Sequence, residues 1–229
     1  MQKPRSNDER IVQIDERRPF RLYIRMEFTA IILAAGKGTR MRSSLAKPLH
    51  KVGGHPMLGW SIDAATAAGA KRIVTVLSPG SESIQSWLNG APFAIQEQQL
   101  GTGNAVAAAR DAVETDDGIA VVMFADTPLV TAESIASLAH AIEDGASLAV
   151  AAFEAADPSG YGRVVRDDKG NITGIVEDRD ATSKQRTIRL CNGGIMAART
   201  PLLFDLLASI TNDNACLLYT SDAADEVVR

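Results

Sequence analysis

The stretch FTAIILAAG, residues 28–36, decides the fold because a run of apolar residues leads directly into a glycine. Its unbroken apolar character predicts a strand buried on both faces, and the small residues at its end predict a loop. RIVTVL from Arg72 and the run Gly118–Phe124 are further apolar strands, and helical patterns lie between these strands. Such alternation of strand and helix is typical of a mostly parallel sheet that is covered on both faces.

The elements predicted around this strand alternate along most of the chain. Helices are predicted over residues 56–68, 81–88, 102–113, 131–143 and 201–209, and short strands over residues 93–96 and 147–153. After Asp157 turn residues separate short strands, which predicts an antiparallel portion there. The predicted class is α/β: a Rossmann-like, mostly parallel sheet with helices on both faces and a small antiparallel portion.

Composition excludes several classes of partner. The net charge of −4 and the aromatic content of 5% offer neither a phosphate-neutralising field nor a stacking platform, so we expect no nucleic-acid partner. The longest clean apolar run, Ile119–Ala125, is far shorter than the roughly 20 residues of a membrane-spanning helix, so we expect no membrane partner. The two cysteines, Cys191 and Cys216, match no metal or disulfide pattern, which favours a cytoplasmic location.

The segment LAAGKGTRM, residues 33–41, has the character of a phosphate cradle. Small residues and two glycines directly after a strand let backbone N–H groups approach an anion, and Lys37 and Arg40 add positive charge. Lys47 follows in LAKPLH and supplies a further cation. The spacing matches neither a Walker A loop nor a Rossmann fingerprint. A bare glycine turn is the alternative, and phosphate binding is the favoured interpretation.

Asp126 stands at the exit of the apolar strand IAVVMFAD. A carboxylate in that position is a natural ligand for a hard cation that bridges phosphates. It could equally cap a turn, and the residues alone leave the two roles open.

The polar segment Gln96–Ala105, QEQQLGTGNA, offers amide groups that present a donor and an acceptor together. This combination suits the edge of a pyrimidine, and Gly101 and Gly103 let backbone groups take part. On the residues alone, a polar loop in which Thr102 caps the next helix is the better interpretation.

Seven short motifs then occur in the order and spacing of a known family: LAAGKGTRM, LAKPLH, QLGTGNA, AD-x-PL, GYGR, GIVED and NGG. From about Phe28 to Ala215 the chain resembles the uridyltransferase domain of the GlmU family, whose members are bifunctional N-acetylglucosamine-1-phosphate uridyltransferases and glucosamine-1-phosphate acetyltransferases. The first motif is shared by many sugar nucleotidyltransferases. GYGR, GIVE and the following Asn-Gly-Gly narrow the resemblance to N-acetylglucosamine.

The resemblance implies an activity, a fold of the nucleotide-diphospho-sugar transferase type and a set of site residues. UTP and N-acetylglucosamine 1-phosphate would be the substrates, Mg²⁺ the cofactor, and UDP-N-acetylglucosamine and pyrophosphate the products. Nucleotide contacts are implied for Leu33, Ala34, Ala35, Gly36, Lys47, Gln96, Gln99, Gly101 and Thr102. Sugar-side contacts are implied for Phe124, Ala125, Asp126, Gly162, Glu177 and Asn192. Arg40 and Lys47 would be the catalytic cations, and Asp126 would hold Mg²⁺.

The chain also departs from the family pattern. Phe124-Ala125 stands where the family usually has Tyr-Gly, which removes a hydroxyl and adds a Cβ near the sugar. The family's second Mg²⁺ ligand, an asparagine, and the β-helix domain through which it trimerises and transfers acetyl groups have no counterpart in this sequence. We therefore expect weak or absent uridyltransferase activity and no use of acetyl-CoA.

The resemblance divides the chain into three parts and leaves two alternatives. Residues 1–27 are expected to be a non-native or disordered extension with the natural start at Met26, residues 28–215 the nucleotidyltransferase domain, and residues 216–229 a non-native tail. The first alternative is a nucleotidyltransferase for another sugar or cofactor phosphate. The second is a non-catalytic nucleotide-binding protein of the same fold.

Overall fold

The computed structural model describes residues 26–36, 38, 41–113, 118–168, 170 and 172–209. The strands are β1 (Phe28–Leu33), β2 (Lys51–Val52), β3 (His55–Pro56), β4 (Ala70–Leu77), β5 (Phe93–Ile95), β6 (Ile119–Phe124), β7 (Leu148–Glu154), β8 (Arg163–Arg166), β9 (Ile172–Val176) and β10 (Leu190–Arg199). The helices are α1 (Met57–Ala68), α2 (Glu82–Leu88), α3 (Thr102–Ala108), α4 (Ala132–Glu143), α5 (Ser183–Arg186) and α6 (Thr200–Ser209).

Strand β1 lies inside an eight-stranded sheet of order β5-β4-β1-β6-β10-β8-β9, and β7 also pairs with β10. It is parallel to both neighbours, so that Ile31 stands opposite Val74 of β4 and Val122 of β6. Side chains alternate between the two faces of a strand. Ile32 accordingly packs in the core beneath α1, α2 and α4, and Ile31 packs in the core beneath α3 and α6. The predicted α/β sheet with helices on both faces is confirmed.

The antiparallel portion begins with β10, which runs antiparallel to β6, β7 and β8. Strands β8 and β9 form an antiparallel pair that extends the sheet. The register of β10 against β7 shifts between Asn192 and Met196, and Gly194 within that shift has a φ of +80°. A left-handed backbone favours glycine, so this irregularity is encoded by the NGG motif. The predicted antiparallel portion is confirmed, although β10 itself is not in the list of predicted strands.

Two other local features differ from the sequence prediction. The helix expected over residues 102–113 ends at Ala108, and a separate 3-10 turn covers Arg110–Ala112. Arg110 donates a hydrogen bond to the backbone oxygen of Phe204 at 3.0 Å, so packing against α6 overrides the helical pattern. A hairpin joins β2 to β3 through Gly53 and Gly54, which both have positive φ as a tight hairpin turn requires.

The predictions for the two ends of the chain fall largely outside the described residues, which exclude 1–25 and 210–229. Within the described part, no helix is both long enough and apolar enough to cross a membrane.

Candidate functional site

The carboxyl ends of the parallel strands are joined by backbone hydrogen bonds. Ala34 N–H donates to the Val76 oxygen at 2.8 Å, and Ala125 N–H donates to the Leu33 oxygen at 3.0 Å. Gln96 N–H donates to the Leu77 oxygen at 2.8 Å. These bonds bring the three segments singled out from the sequence, after β1, β5 and β6, to one edge of the sheet. Ligands of open α/β sheets bind at this edge.

The two glycines of the phosphate-cradle motif play different parts. Gly38 has a φ of +57°, and a Cβ there would lie 2.6 Å from the Cβ of Lys47, so the fold itself requires glycine. A Cβ at Gly36 would meet nothing within 4 Å. The absence of a side chain at Gly36 therefore leaves open space above the backbone, as close approach of a ligand requires. Lys37 and Arg40 of the same motif lie outside the described residues.

Lys47 and Asp126 form an ion pair at the centre of this edge. Lys47 is the first residue of the 3-10 turn Lys47–Leu49, and Asp126 stands two residues after the end of β6. The Nζ of Lys47 lies 2.7 Å from Oδ2 of Asp126, and the two side chains are 29% and 38% exposed. The sequence assigned the two residues separate roles, as a phosphate-binding cation and as a metal ligand. Their contact makes those roles interdependent.

A cavity of about 210 Å³ opens beside Lys47 and the loop after β1. Gly36 and Lys47 line one side of it, and Ser78, Ser81 and Ser83 contribute to the other. Hydroxyl groups, a cation and a bare backbone are chemically suited to a charged, oxygen-rich ligand.

The amide of Gln96 is engaged within the protein. Its side chain is only 4% exposed, and Nε2 donates to the oxygen of Gly101 at 3.0 Å and to Oδ1 of Asn104 at 2.9 Å. Both amide hydrogens therefore have partners, and the remaining hydrogen-bonding capacity is that of the oxygen. Asn104 was not identified as a site residue from the sequence, although it lies within the quoted segment.

The loop that Gln96 begins is held against the cradle. Gln99 donates from Nε2 to the backbone oxygen of Ala35 at 3.0 Å, which ties the predicted nucleotide segments together. Gly101, not Thr102, occupies the N-cap of α3, with a φ of +104° that favours glycine. Thr102 is the first residue of α3, so the alternative in which Thr102 is the N-cap of this helix differs from the structure.

Three of the six residues predicted for the sugar side, Gly162, Glu177 and Asn192, lie next to one another. Asn192 N–H donates to the Gly162 oxygen at 2.8 Å. A Cβ at Gly162 would lie 2.9 Å from Oε1 of Glu177 and 3.6 Å from the Cβ of Asn192. A side chain at position 162 would therefore require the Glu177 carboxylate to move. We call Gly162, Glu177 and Asn192 the acceptor pocket.

Glu177 is a buried carboxyl group with unused hydrogen-bonding capacity. The residue is 7% exposed, and neither carboxylate oxygen has a hydrogen-bond partner among the described residues. Burial raises the pKa of Glu177, and the nearby Arg179 guanidinium opposes that shift. A buried polar group without a partner is costly unless a ligand supplies one.

The end of β6 connects the two halves of the site. The oxygen of Phe124 accepts hydrogen bonds from the hydroxyls of Ser61 at 3.1 Å and Thr127 at 3.0 Å. Its ring packs on Gly194, where a Cβ would lie 2.8 Å from Cε2. Ala125, which stands between Phe124 and Asp126 in the sequence, is buried. Phe124 thus links the strand that precedes Asp126 to the bulge beside the acceptor pocket.

Comparison with known proteins agrees with this arrangement. Residues 30–214 match the family described as the MobA-like NTP transferase domain. The chain belongs to this family. The structure of UDP-glucose pyrophosphorylase complexed with UDP-glucose shares the fold of this MobA-like NTP transferase, with a TM-score of 0.65, 18% identity and 81% of each chain covered. The apo form of a UDP-glucose pyrophosphorylase gives a TM-score of 0.66 at 16% identity, with 80% of each chain covered.

Curated relatives of this MobA-like NTP transferase confirm the resemblance to GlmU. The bifunctional protein GlmU of Parvibaculum lavamentivorans is 46% identical over 190 residues, which are 81% of this chain and 42% of the relative. GlmU of Maricaulis maris is 47% identical over 189 residues, which are 82% of this chain and 42% of the relative. The chain therefore spans about two-fifths of the length of the curated relatives it matches.

Nucleotidyltransferases of such families are typically metal-dependent. Among the described residues, no cluster of three or more acidic, histidine or cysteine side chains forms a dedicated metal cage. Mg²⁺ does not need one, because it is usually bound by one or two carboxylates together with substrate phosphates. Asp126 is an accessible carboxylate near the phosphate-cradle segment, so its chemistry is compatible with such a site.

Proposed function

We propose that this chain transfers a uridylyl group from UTP to N-acetylglucosamine 1-phosphate and forms UDP-N-acetylglucosamine and pyrophosphate. The main support for the proposal is that the carboxyl group of Glu177 is buried and that its oxygens have no hydrogen-bond partner among the described residues. Sugar hydroxyls are the donors that such a group lacks, and Asn192 and the bare backbone of Gly162 lie beside it. The identity with GlmU proteins supports the same choice of acceptor.

The hydrogen bonds of the Gln96 side chain support uracil as the base that is bound. Because its two amide hydrogens are donated to Gly101 and Asn104, only its oxygen remains to read a base. An oxygen accepts the N3–H of uracil but repels the unprotonated N3 of cytosine. UTP is therefore favoured over CTP, since the wrong base leaves a buried polar group unpaired.

The phosphate groups would lie over the loop after β1. Open space above Gly36 admits them to the backbone, and Lys47 supplies positive charge beside the cavity lined by serines. Mg²⁺ held by Asp126 would neutralise charge on the phosphate oxygens. Lys47 would leave its ion pair with Asp126 to take up a phosphate oxygen, so that cation and carboxylate both serve the nucleotide.

The reaction needs alignment more than acid–base chemistry. The acceptor phosphate is already ionised near neutral pH, so its oxygen attacks the α-phosphorus of UTP without a general base. A new P–O bond forms, the bond to the β-phosphate breaks, and pyrophosphate leaves. The residues of the acceptor pocket orient the sugar phosphate, which lowers the barrier by proximity.

A substrate panel tests this function. Pyrophosphate release is measured with Mg²⁺, each of UTP, CTP and ATP, and each of N-acetylglucosamine 1-phosphate and glucose 1-phosphate. We expect UTP with N-acetylglucosamine 1-phosphate to be turned over most efficiently, although slowly because Phe124-Ala125 departs from the family pattern, and Glu177→Gln to raise the acceptor KM. Calorimetric binding of UDP-N-acetylglucosamine gives a second readout if turnover is slow. A preference for another pair, or no binding of this nucleotide sugar, would contradict the proposal.

A further inference from the structure

Arg163 is the first residue of β8, directly after Gly162, and its side chain is only 2% exposed. A buried guanidinium is expensive unless it is paired. Its Nη2 donates to Oδ1 of Asp178 at 2.7 Å, and its Nη1 donates to the backbone oxygen of Tyr161. The guanidinium is therefore buried, and it donates hydrogen bonds to two specific partners.

Those two partners flank the acceptor pocket. Tyr161 immediately precedes Gly162, and Asp178 immediately follows Glu177. The guanidinium thus connects the segment that contains Gly162 to the segment that contains Glu177, and these two residues face each other in the acceptor pocket. Because a Cβ at Gly162 would lie 2.9 Å from Oε1 of Glu177, a small change in their separation changes the pocket.

The surrounding contacts support a fixed geometry at this bridge. Arg163 pairs with Cys191 across the β8–β10 ladder, and Cys191 directly precedes the pocket residue Asn192. On the far side, Arg186 of α5 donates from Nε to the backbone oxygen of Asp178 at 3.2 Å. Each residue of the acceptor pocket is therefore adjacent in sequence to a residue that Arg163 contacts or pairs with, namely Tyr161, Asp178 or Cys191.

We propose that Arg163 is a positioning residue for the sugar phosphate, which sets the separation of Gly162 and Glu177 without touching the substrate. The inference rests on the proposed function of the acceptor pocket. It predicts an effect confined to the acceptor, because the nucleotide segments after β1 and β5 lie elsewhere on the sheet edge.

Kinetics of matched variants test the proposal. Arg163→Met keeps an unbranched side chain but removes every donor, and we expect the KM for N-acetylglucosamine 1-phosphate to rise about tenfold with the KM for UTP changed by less than about twofold. Arg163→Lys restores the charge and should recover part of the loss. Leu138→Ala is the control, since it destabilises the core beneath α4 away from the pocket and should move neither KM. If Arg163→Met does not fold, Asp178→Ala breaks the same bridge from its more exposed end and should give the same acceptor-selective change.

Amide hydrogen exchange gives a readout that does not depend on turnover. Asn192 N–H donates to the backbone oxygen of Gly162, and Asp180 N–H donates to the backbone oxygen of Glu177, so both amides report on the pocket. We expect both to exchange faster in Arg163→Met, while β1 is unchanged and Leu138→Ala leaves them as in the wild type. Equal increases of both KM values, or unchanged exchange at both amides, would overturn the proposal. If the wild-type chain turns over no substrate pair, the proposed function fails and exchange alone decides the positioning role.

Discussion

The ammonium group of Lys47 lies 2.7 Å from Oδ2 of Asp126. The two residues come from a turn before α1 and from the loop after β6, so the pair joins the turn that follows the phosphate-cradle segment to the end of β6. A lysine in that position competes with any divalent cation for the carboxylate. The pair therefore links metal binding to the release of Lys47 toward the nucleotide.

Removal of the lysine tests this link. We expect Lys47→Met to bind Mn²⁺ about two- to fivefold more tightly without nucleotide, because an exposed ion pair is worth at most about 1 kcal/mol. The same variant should turn over more slowly, because a phosphate-binding cation is lost. Electron paramagnetic resonance of free Mn²⁺ measures the affinity. Lys71→Met, which breaks the exposed contact of Lys71 with Glu27, is the control and should change neither quantity. An unchanged Mn²⁺ affinity in Lys47→Met would refute the competition.

The two cradle glycines should respond differently to the same substitution. Gly38→Ala places a Cβ 2.6 Å from the Cβ of Lys47 on a left-handed backbone, and we expect it to cost about 1–3 kcal/mol of unfolding free energy. Gly36→Ala meets nothing within 4 Å, so its stability should be unchanged while its affinity for UTP falls. Thermal denaturation and calorimetry separate the two effects. Equal UTP affinity in Gly36→Ala and the wild type would show that no ligand approaches this glycine.

Burial of Glu177 should make stability depend on pH. Because burial raises its pKa in the folded state, the folded protein holds the proton more tightly than the unfolded chain between the ordinary and the raised pKa. The contribution of this group to stability is therefore fully present below its ordinary pKa and is lost as pH rises through the raised value. Glu177→Gln removes the penalty. We expect its Tm to exceed that of the wild type at pH 8 and the two Tm values to converge in acid. A difference that is independent of pH would be inconsistent with this cause.

The amide orientation of Gln96 can be tested by a nearly isosteric change. Gln96→Glu turns the donor into an oxygen that faces the Gly101 oxygen and Oδ1 of Asn104, so we expect a loss of about 1–3 kcal/mol in stability. UTP binding should weaken with it. Gln98→Glu makes the same chemical change at an exposed position of the same loop and should be neutral. If both variants behave alike, the buried amide is not the reader of the base.

Much of the fold follows from local pattern, because β1 and its parallel neighbours are apolar on both faces. Ile31 and Ile32 belong to opposite cores, as an unbroken apolar strand requires. Strand β10 is harder to foresee, since the glycines that bulge beside Asn192 interrupt its apolar run. Its position in the sheet is set by long-range pairing, which local sequence does not encode.

In the candidate site, too, some features could be predicted from the sequence and others depend on long-range contacts. Resemblance pointed to Gly162, Glu177 and Asn192, and the structure brings them together. Arg163 stands in the quoted GYGR motif, yet an arginine in a short strand suggests an exposed residue by its charge alone. Its burial depends on Asp178, which only the folded chain places beside it.

The most direct test of the central claim follows the α-phosphorus of UTP. The chain is incubated with [α-³²P]UTP, Mg²⁺ and unlabelled N-acetylglucosamine 1-phosphate, and the products are separated. Attack at the α-phosphorus places the label in UDP-N-acetylglucosamine and leaves the released pyrophosphate unlabelled. The account predicts this result and its loss in Asp126→Asn. Label that remains in UTP, or that appears only in UMP or UDP, would contradict it.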